Sequence, residues 1–157
     1  MLQFHVTAKL AKALKVRPEE PPATDEVDWL KRWYVRDIPL DLPLDALLFT
    51  NAETLYSLVH PFDRRERIDE IVGVFQQRLE YITGQDFTSD TGALRVCKTA
   101  SRRLTGCMNE LTMMVEYEIE RHLQGEGIQF EVIEDHLNEG IVGGVFPKRE
   151  FAKRLND

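Results

Sequence analysis

Leu104, Met108, Leu111, Val115 and Ile119 recur at intervals of four, three, four and four. That is the apolar stripe of an amphipathic helix with one side committed to a core. Thr99 or Ser101 is the natural N-cap, since a hydroxyl there accepts a free amide proton of the first turn. Arg102 and Arg103 then stand in the first turn, beside the positive end of the helix dipole. A cation there is unfavourable by a few tenths to about 1 kcal/mol unless an anion is near. Glu116, Glu118 and Glu120 approach the negative end, so the helix carries its charges the wrong way round. With Arg95 and Lys98 included, four basic residues fall between Asp90 and Glu110 with no acid among them. Either carboxylates from elsewhere in the fold neutralise this stretch, or an external anion does.

The rest of the chain is acidic, with a net charge of −7. A nucleic-acid duplex would have to meet a local basic patch against that field, so nonspecific nucleic-acid binding is disfavoured. An apolar content of 43% supports an ordinary core, and 157 residues read as a single domain spanning 1–157. No apolar run approaches the roughly 18 to 20 residues of a membrane span. The N-terminus lacks the basic segment and long apolar core of a secretory signal. Two cysteines, Cys97 and Cys107, make no disulfide framework. A cytoplasmic protein of bacterial type is the expectation, with no membrane association and no cofactor implied.

Leu2, Phe4 and Val6 alternate with Gln3 and His5, which predicts a short strand with His5 on the face opposite the apolar residues. Thr7 caps a helix carrying Leu10, Ala11 and Leu14. Residues 17–28 hold three prolines and five acids and read as an exposed acidic loop. Trp29, Trp33, Tyr34 and Val35 suggest a strand near the edge of a sheet, interrupted by the later prolines. Trp33 beside Arg32 or Arg36 has the ingredients of a base-stacking platform, but nothing repeats it, and core or sheet surface is the plainer reading. Ala46–Thr50 and Leu55–Val59 form a hairpin about Asn51, bringing the sheet to four strands before the first long helix.

That helix is expected to begin at Asp63, with Glu66 completing a capping box. Ile68, Ile71, Val72, Phe75, Leu79 and Ile82 give it a buried face, and Gly84 ends it. Arg64, Arg65 and Arg67 at its start are interleaved with Asp63, Glu66 and Asp69, so local pairing accounts for them. A polar connection over 85–92 leads to a strand from Ala93 to Thr99. Gly125 and Gly127 close the striped helix. A short helix carrying Phe130, Ile133 and Leu137 ends near Gly140, residues 141–146 form a strand or irregular loop, and Pro147 opens a last helix with Phe151 and Leu155. The sum is an α+β fold: a small, mostly antiparallel sheet of about four to six strands packed by about four to five helices.

A strand running directly into a helix whose first turn is rich in Ser, Thr, Lys and Arg is a geometry in which free amides hold an anion. The Gly-rich spacing and Gly-Lys-Ser/Thr ending of a P-loop are absent. Lys98, Thr99, Arg102 and Arg103 are the candidate anion ligands, with Asn109 fixing orientation and His5 as an auxiliary group. Glu118 and His122 share a helix face, but two potential ligands without a third do not make a metal site, and no metal is expected. Cys97 and Cys107 flank the basic segment. Buried thiols are the plain reading, and a reversible bridge between them is the alternative.

Several motifs carry a resemblance: Leu-x-x-x-x-Thr-x-Lys-Leu at Leu2–Leu10, Leu-Leu-Phe-x-Asn at Leu47–Asn51, Lys-Thr-x-x-Arg-x-x-x-Gly-x-Met-Asn at Lys98–Asn109 and Leu-Asn-Glu at Leu137–Glu139. Together they resemble a bacterial family known as a domain of unknown function. The resemblance implies a single α+β domain, supplies no reaction, and adds Gly106, Asn138 and Glu139 to the residues of interest. Three functional classes follow. The first is an interaction or regulatory protein with an unknown protein partner, of the kind tied to mobile elements or toxin and antitoxin pairs. The second is a domain binding a small anionic ligand, a phosphate or an RNA end, through residues 98–109. The third is a small phosphodiesterase or RNase-like enzyme using His5 or His60.

Overall fold

The structure, a computed structural model, describes residues 2–22, 28–87 and 94–157. Residues 23–27 of the acidic loop, most of the 85–92 connection and Ala93 therefore lie outside the described residues. The chain forms β1 (Gln3–Val6), α1 (Ala8–Leu14), β2 (Arg32–Ile38), β3 (Asp45–Asn51), β4 (Ser57–Phe62), α2 (Ile68–Thr83), β5 (Arg95–Lys98), α3 (Arg102–Leu123), α4 (Phe130–Glu139) and α5 (Pro147–Leu155). A 3-10 turn at Trp29–Lys31 leads into β2. The strands make one sheet in the order β4, β3, β2, β1, β5.

This is an α+β domain whose sheet is mixed. β1 runs parallel to both β2 and β5, while β3 is antiparallel to β2 and to β4. The parallel half arises because α1 carries the chain back after β1, which a hairpin cannot do. β2 lies at the centre of the sheet rather than near its edge. Pro39 and Pro43 fall beyond its last residue, Ile38, so they remove nothing from its ladders.

Central placement means that β2 buries both faces. Trp33 and Val35 join Phe4, Val6, Phe49 and Phe62 beneath α1 and α2. Tyr34 and Ile38 join Leu48 and Val59 beneath α3 and α4. Phe75 of α2 meets the Phe4 and Trp33 rings edge-on at 5.1 and 5.0 Å. The α3 stripe is buried throughout, and Ser101 is its N-cap, accepting the Leu104 N–H at 3.2 Å.

α2 begins at Ile68, five residues later than the capping pattern suggests. The Asp63 and Glu66 side chains do form hydrogen bonds, but in a turn that precedes the helix: Asp63 N–H donates to Glu66, and Arg65 N–H to Asp63. Arg65 also grips Asp63 with its guanidinium and holds that carboxyl at about 2. Arg64 reaches Asp45 at 2.5 Å, and Arg67 stands 3.4 Å from Glu70.

Both sheet edges are partly covered by other parts of the chain, which reduces the unpaired backbone groups that invite strand addition. At β5, Glu19 donates its N–H to Val96 O at 2.9 Å and accepts the Lys98 N–H at 2.8 Å. At β4 the substitute strand is a helix. Asn138 accepts the Ser57 N–H and donates to Ser57 O, both at 2.8 Å. Glu134 accepts the Val59 N–H at 2.6 Å, and Arg78 donates to Val59 O at 3.2 Å. Two residues along a strand span about 6.7 Å and four along a helix about 6 Å, so residues 134 and 138 stay in step with 59 and 57. The next outward position is Pro61, which has no N–H, and it shares a groove with Phe130, one helical step earlier.

Residues 141–146 form a tight turn in which Val142 and Val145 exchange both backbone hydrogen bonds at 2.9 Å. Gly143 and Gly144 between them have φ of 55° and 77°, a pair of values that favours glycine. A Cβ on Gly143 would stand 2.8 Å from Cys107 Sγ and 3.3 Å from Leu55 Cδ1. Gly143→Ala is expected to cost about 2 kcal/mol, from left-handed strain plus overpacking. Urea unfolding measures this, and Gly144→Ala, with open space at the same point, should cost less. Cys97 and Cys107 are free thiols, 0% and 6% exposed, with different surroundings: Cys97 Sγ accepts from Gln3, and Cys107 lies under the Gly143 turn.

Candidate functional site

The junction from β5 to α3 lies over the edge half of the sheet, and β1 supplies the floor beside it. Register places Gln3 between Arg32 and Arg95, and His5 between Tyr34 and Cys97. Because β-strand side chains alternate, these two rows share one face, the face that α3 covers. Here the sheet is polar where an apolar surface would normally meet a helix. Gln3 and His5 are 2% and 5% exposed.

His5 and Tyr34 stack with ring centroids 4.6 Å apart and planes 11° from parallel. His5 Nδ1 lies 3.1 Å from Lys98 O. A carbonyl only accepts, so Nδ1 carries a proton, and in the neutral ring Nε2 bears the lone pair. Ser101 N–H donates to Tyr34 Oη at 3.3 Å. The stacked pair thereby ties β1 and β2 to the residues on either side of the turn into α3. Above it opens a cavity of about 350 Å³, walled by Gln3, His5, Arg32, Tyr34, Ser101 and Leu104 among others. Arg32 is ion-paired with Glu53 on one side of this space.

The helix start is partly satisfied. Leu104 N–H goes to Ser101 Oγ and Thr105 N–H to Ser101 O. The amides of Arg102 and Arg103 have no acceptor within the helix, as in any first turn. The charge mismatch divides in two. Lys98 pairs with Glu20 at 2.6 Å and Arg95 with Glu19 at 3.5 Å, both acids coming from the proline-rich loop. Arg102 and Arg103 are exposed, and among the described residues neither lies within 4.0 Å of a carboxylate. Arg103 extends over the Gly143 turn, with Nη2 3.8 Å from where a Cβ on Gly143 would be.

The remaining candidates disperse. Thr99 is half-buried between β5 and α3. Asn109, two turns further along α3, accepts from Arg36 Nη1 at 2.7 Å. Asn138 is committed to Ser57 on the opposite edge of the sheet, and Glu139 stands 3.7 Å from Lys148 at the surface. His60 lies on β4, the edge away from β5; four strand spacings of about 4.8 Å separate those edges.

Of the residues that wall the cavity, His5 is the one the sequence offers as a ligand for this site. Gln3, Arg32 and Tyr34 enter through strand pairing, for which no local signal exists. Gln3 and His5 did alternate with three apolar residues, and two polar side chains on a strand with both faces covered are the one trace of a site.

His60 belongs to a second concavity of about 690 Å³ between α2 and α4, together with Tyr56, Arg78, Tyr81 and Glu134. Burial lowers the His60 pKa and raises that of Tyr56. Burial would also lower Arg78, but its two-pronged contact with Glu134, 2.5 Å on each side, overrides this and raises it. The strongest charges in this groove are thus spent on each other and on β4.

Glu118 of α3 is hydrogen-bonded to His136 Nδ1 of α4 and lies 3.8 Å from His122 Nε2. Gln129 N–H donates to His122 Nδ1 at 3.1 Å, so the neutral ring carries its proton on Nε2, towards Glu118. This clamp joins α3 to α4. Among the described residues, no group of three His, Cys, Asp or Glu side chains is arranged to hold a metal ion, and no helix is long and apolar enough to cross a membrane.

Residues 3–150 match the family described as Domain of unknown function (DUF6933). No curated protein and no solved structure matches the chain.

Proposed function

From the premise that the chain belongs to the DUF6933 family, a membership that carries no reaction with it, we propose that it binds a small anion, of the phosphate or carboxylate class, in the cavity beside the first turn of α3. The observation that carries this is the polar floor under that cavity: Gln3, His5 and Tyr34 buried on a sheet face, next to a helix start whose amides and arginines meet no carboxylate among the described residues. Free first-turn amides and the dipole favour negative charge there. Arg32, already held by Glu53, adds positive charge at the far wall, and the His5 ring forms part of the floor. Of the residues suggested by the sequence, this reading keeps His5 and the amides of Arg102 and Arg103. It leaves Lys98 to Glu20, and Asn109 to Arg36.

Thermal unfolding with inorganic phosphate, nucleoside monophosphates, phosphosugars and small carboxylates tests the reading. A ligand at a hundredfold excess over its dissociation constant stabilises by about 2.7 kcal/mol, a rise of roughly 5–10 °C for a chain of this length. The rise is expected to vanish in Arg32→Ala and to shrink in His5→Ala. No rise with any of these anions at millimolar concentration contradicts the proposal.

A further inference from the structure

The outer face of α3 carries a pattern that the single chain uses only at two points, where Asn109 accepts from Arg36 and Arg121 lies over the Tyr117 ring. Arg102, Gly106, Asn109, Met113, Tyr117 and Glu120 follow one another at three- and four-residue steps, all exposed. Such steps place side chains on one helix face. Met113 is 71% exposed and Tyr117 63%, large apolar groups turned to solvent in the middle of the helix. At Gly106 nothing lies within 4 Å of where a Cβ would be. Alanine would fit there and would favour the helix, so no contact among the described residues calls for a glycine.

We propose that this face is the twofold interface of a homodimer, with α3 packed antiparallel against α3 of a second copy. A twofold interface must be complementary to itself, and this face is: arginines at one end, Glu116 and Glu120 at the other, uncharged and apolar residues between. In the antiparallel arrangement Arg102 faces Glu120, Asn109 faces Met113, and Gly106 faces Tyr117. The first two pairings centre on Leu111 and the third half a residue beyond it, so one axis serves all three to within a residue. The missing side chain at Gly106 lets the Tyr117 ring lie against the helix backbone, within the 8–10 Å at which helices pack. The two dipoles oppose, and each basic end meets an acidic one. A parallel pairing would set Arg102 against Arg102. A different protein would have to supply this complementary pattern, whereas a second copy already has it. None of these side chains walls the cavity beside His5.

Sedimentation equilibrium of the full chain at low salt tests this. A dimer is expected at roughly 20–200 µM. Arg102→Glu and Glu120→Arg should each raise the dimer dissociation constant by about tenfold, and the double variant should return it to within about twofold. Each single substitution puts at its helix end the charge that the dipole favours. Helicity and Tm of the monomer are therefore expected to hold or rise while association falls, which separates the effect from misfolding. A chain that stays monomeric throughout that range overturns the proposal. So does a dimer indifferent to both single substitutions, or one that the double substitution fails to restore.

Discussion

Glu134→Ala is expected to lower the free energy of unfolding by about 3–5 kcal/mol, the range found when one partner of a buried ion pair is removed. Glu134 is 8% exposed and serves two groups at once: it takes both prongs of Arg78 and accepts the Val59 N–H. Without it, Arg78 keeps its charge in a half-buried groove with Val59 O as its remaining hydrogen-bond partner among the described residues, and Val59 N–H loses its acceptor. Glu134→Gln should cost less, since an amide oxygen can still accept from Val59. Equilibrium urea unfolding of both variants, with Arg78→Ala and the double variant completing a cycle, measures the coupling. A loss below about 1 kcal/mol for Glu134→Ala would mean that the groove is wetter than its geometry implies.

Asn138→Ala is the second large effect, about 3 kcal/mol, from two buried backbone groups of Ser57 left without partners. Asn138 is 4% exposed, and its amide both donates to and accepts from the same residue, as a neighbouring strand would. Asn138→Asp keeps the acceptor for Ser57 N–H but turns a buried carboxylate oxygen on Ser57 O, so its cost should be at least that of alanine. A further consequence separates this account from simple loss of packing. With Ser57 uncovered, β4 becomes an open edge, and the variant should associate through it at concentrations where the parent chain does not. Hydrogen exchange at Ser57 should accelerate in Asn138→Ala, and unchanged protection there would argue against the role assigned to the side chain.

What the sequence made legible depended on how local the cause was. The α3 stripe, the Thr7 and Ser101 caps and the β3 to β4 hairpin are set by residues a few positions apart, and the structure has all of them. Pro39 and Pro43 make β2 read as an edge strand, yet its unbroken apolar run Trp33-Tyr34-Val35 is what a strand buried on both faces looks like, and it lies at the centre of the sheet. The start of α2 was misplaced because Asp63 and Glu66 do make the hydrogen bonds of a cap, only in a turn before the helix.

Long-range pairing was beyond reach. Glu20 lies 78 residues from Lys98, and nothing near Lys98 hints that the proline-rich loop neutralises it. Arg32 and Gln3 reach the cavity wall only through the parallel register of β1 and β2. Asn138, of interest through the family resemblance, faces β4, because a polar residue between core positions of a helix has the same local appearance whether it meets a ligand or a strand edge.

The central claim is that the turn from β5 into α3 holds an anion over the His5 and Tyr34 pair. Titrating inorganic phosphate into the ¹⁵N-labelled chain and following the backbone amides tests it most directly. The account predicts saturable shifts at Ser101, Arg102 and Arg103, with the His5 ring protons moving at the same midpoint and His60 unmoved. Shifts spread evenly over exposed lysines and arginines, or none at the first turn of α3 up to tens of millimolar phosphate, would contradict it.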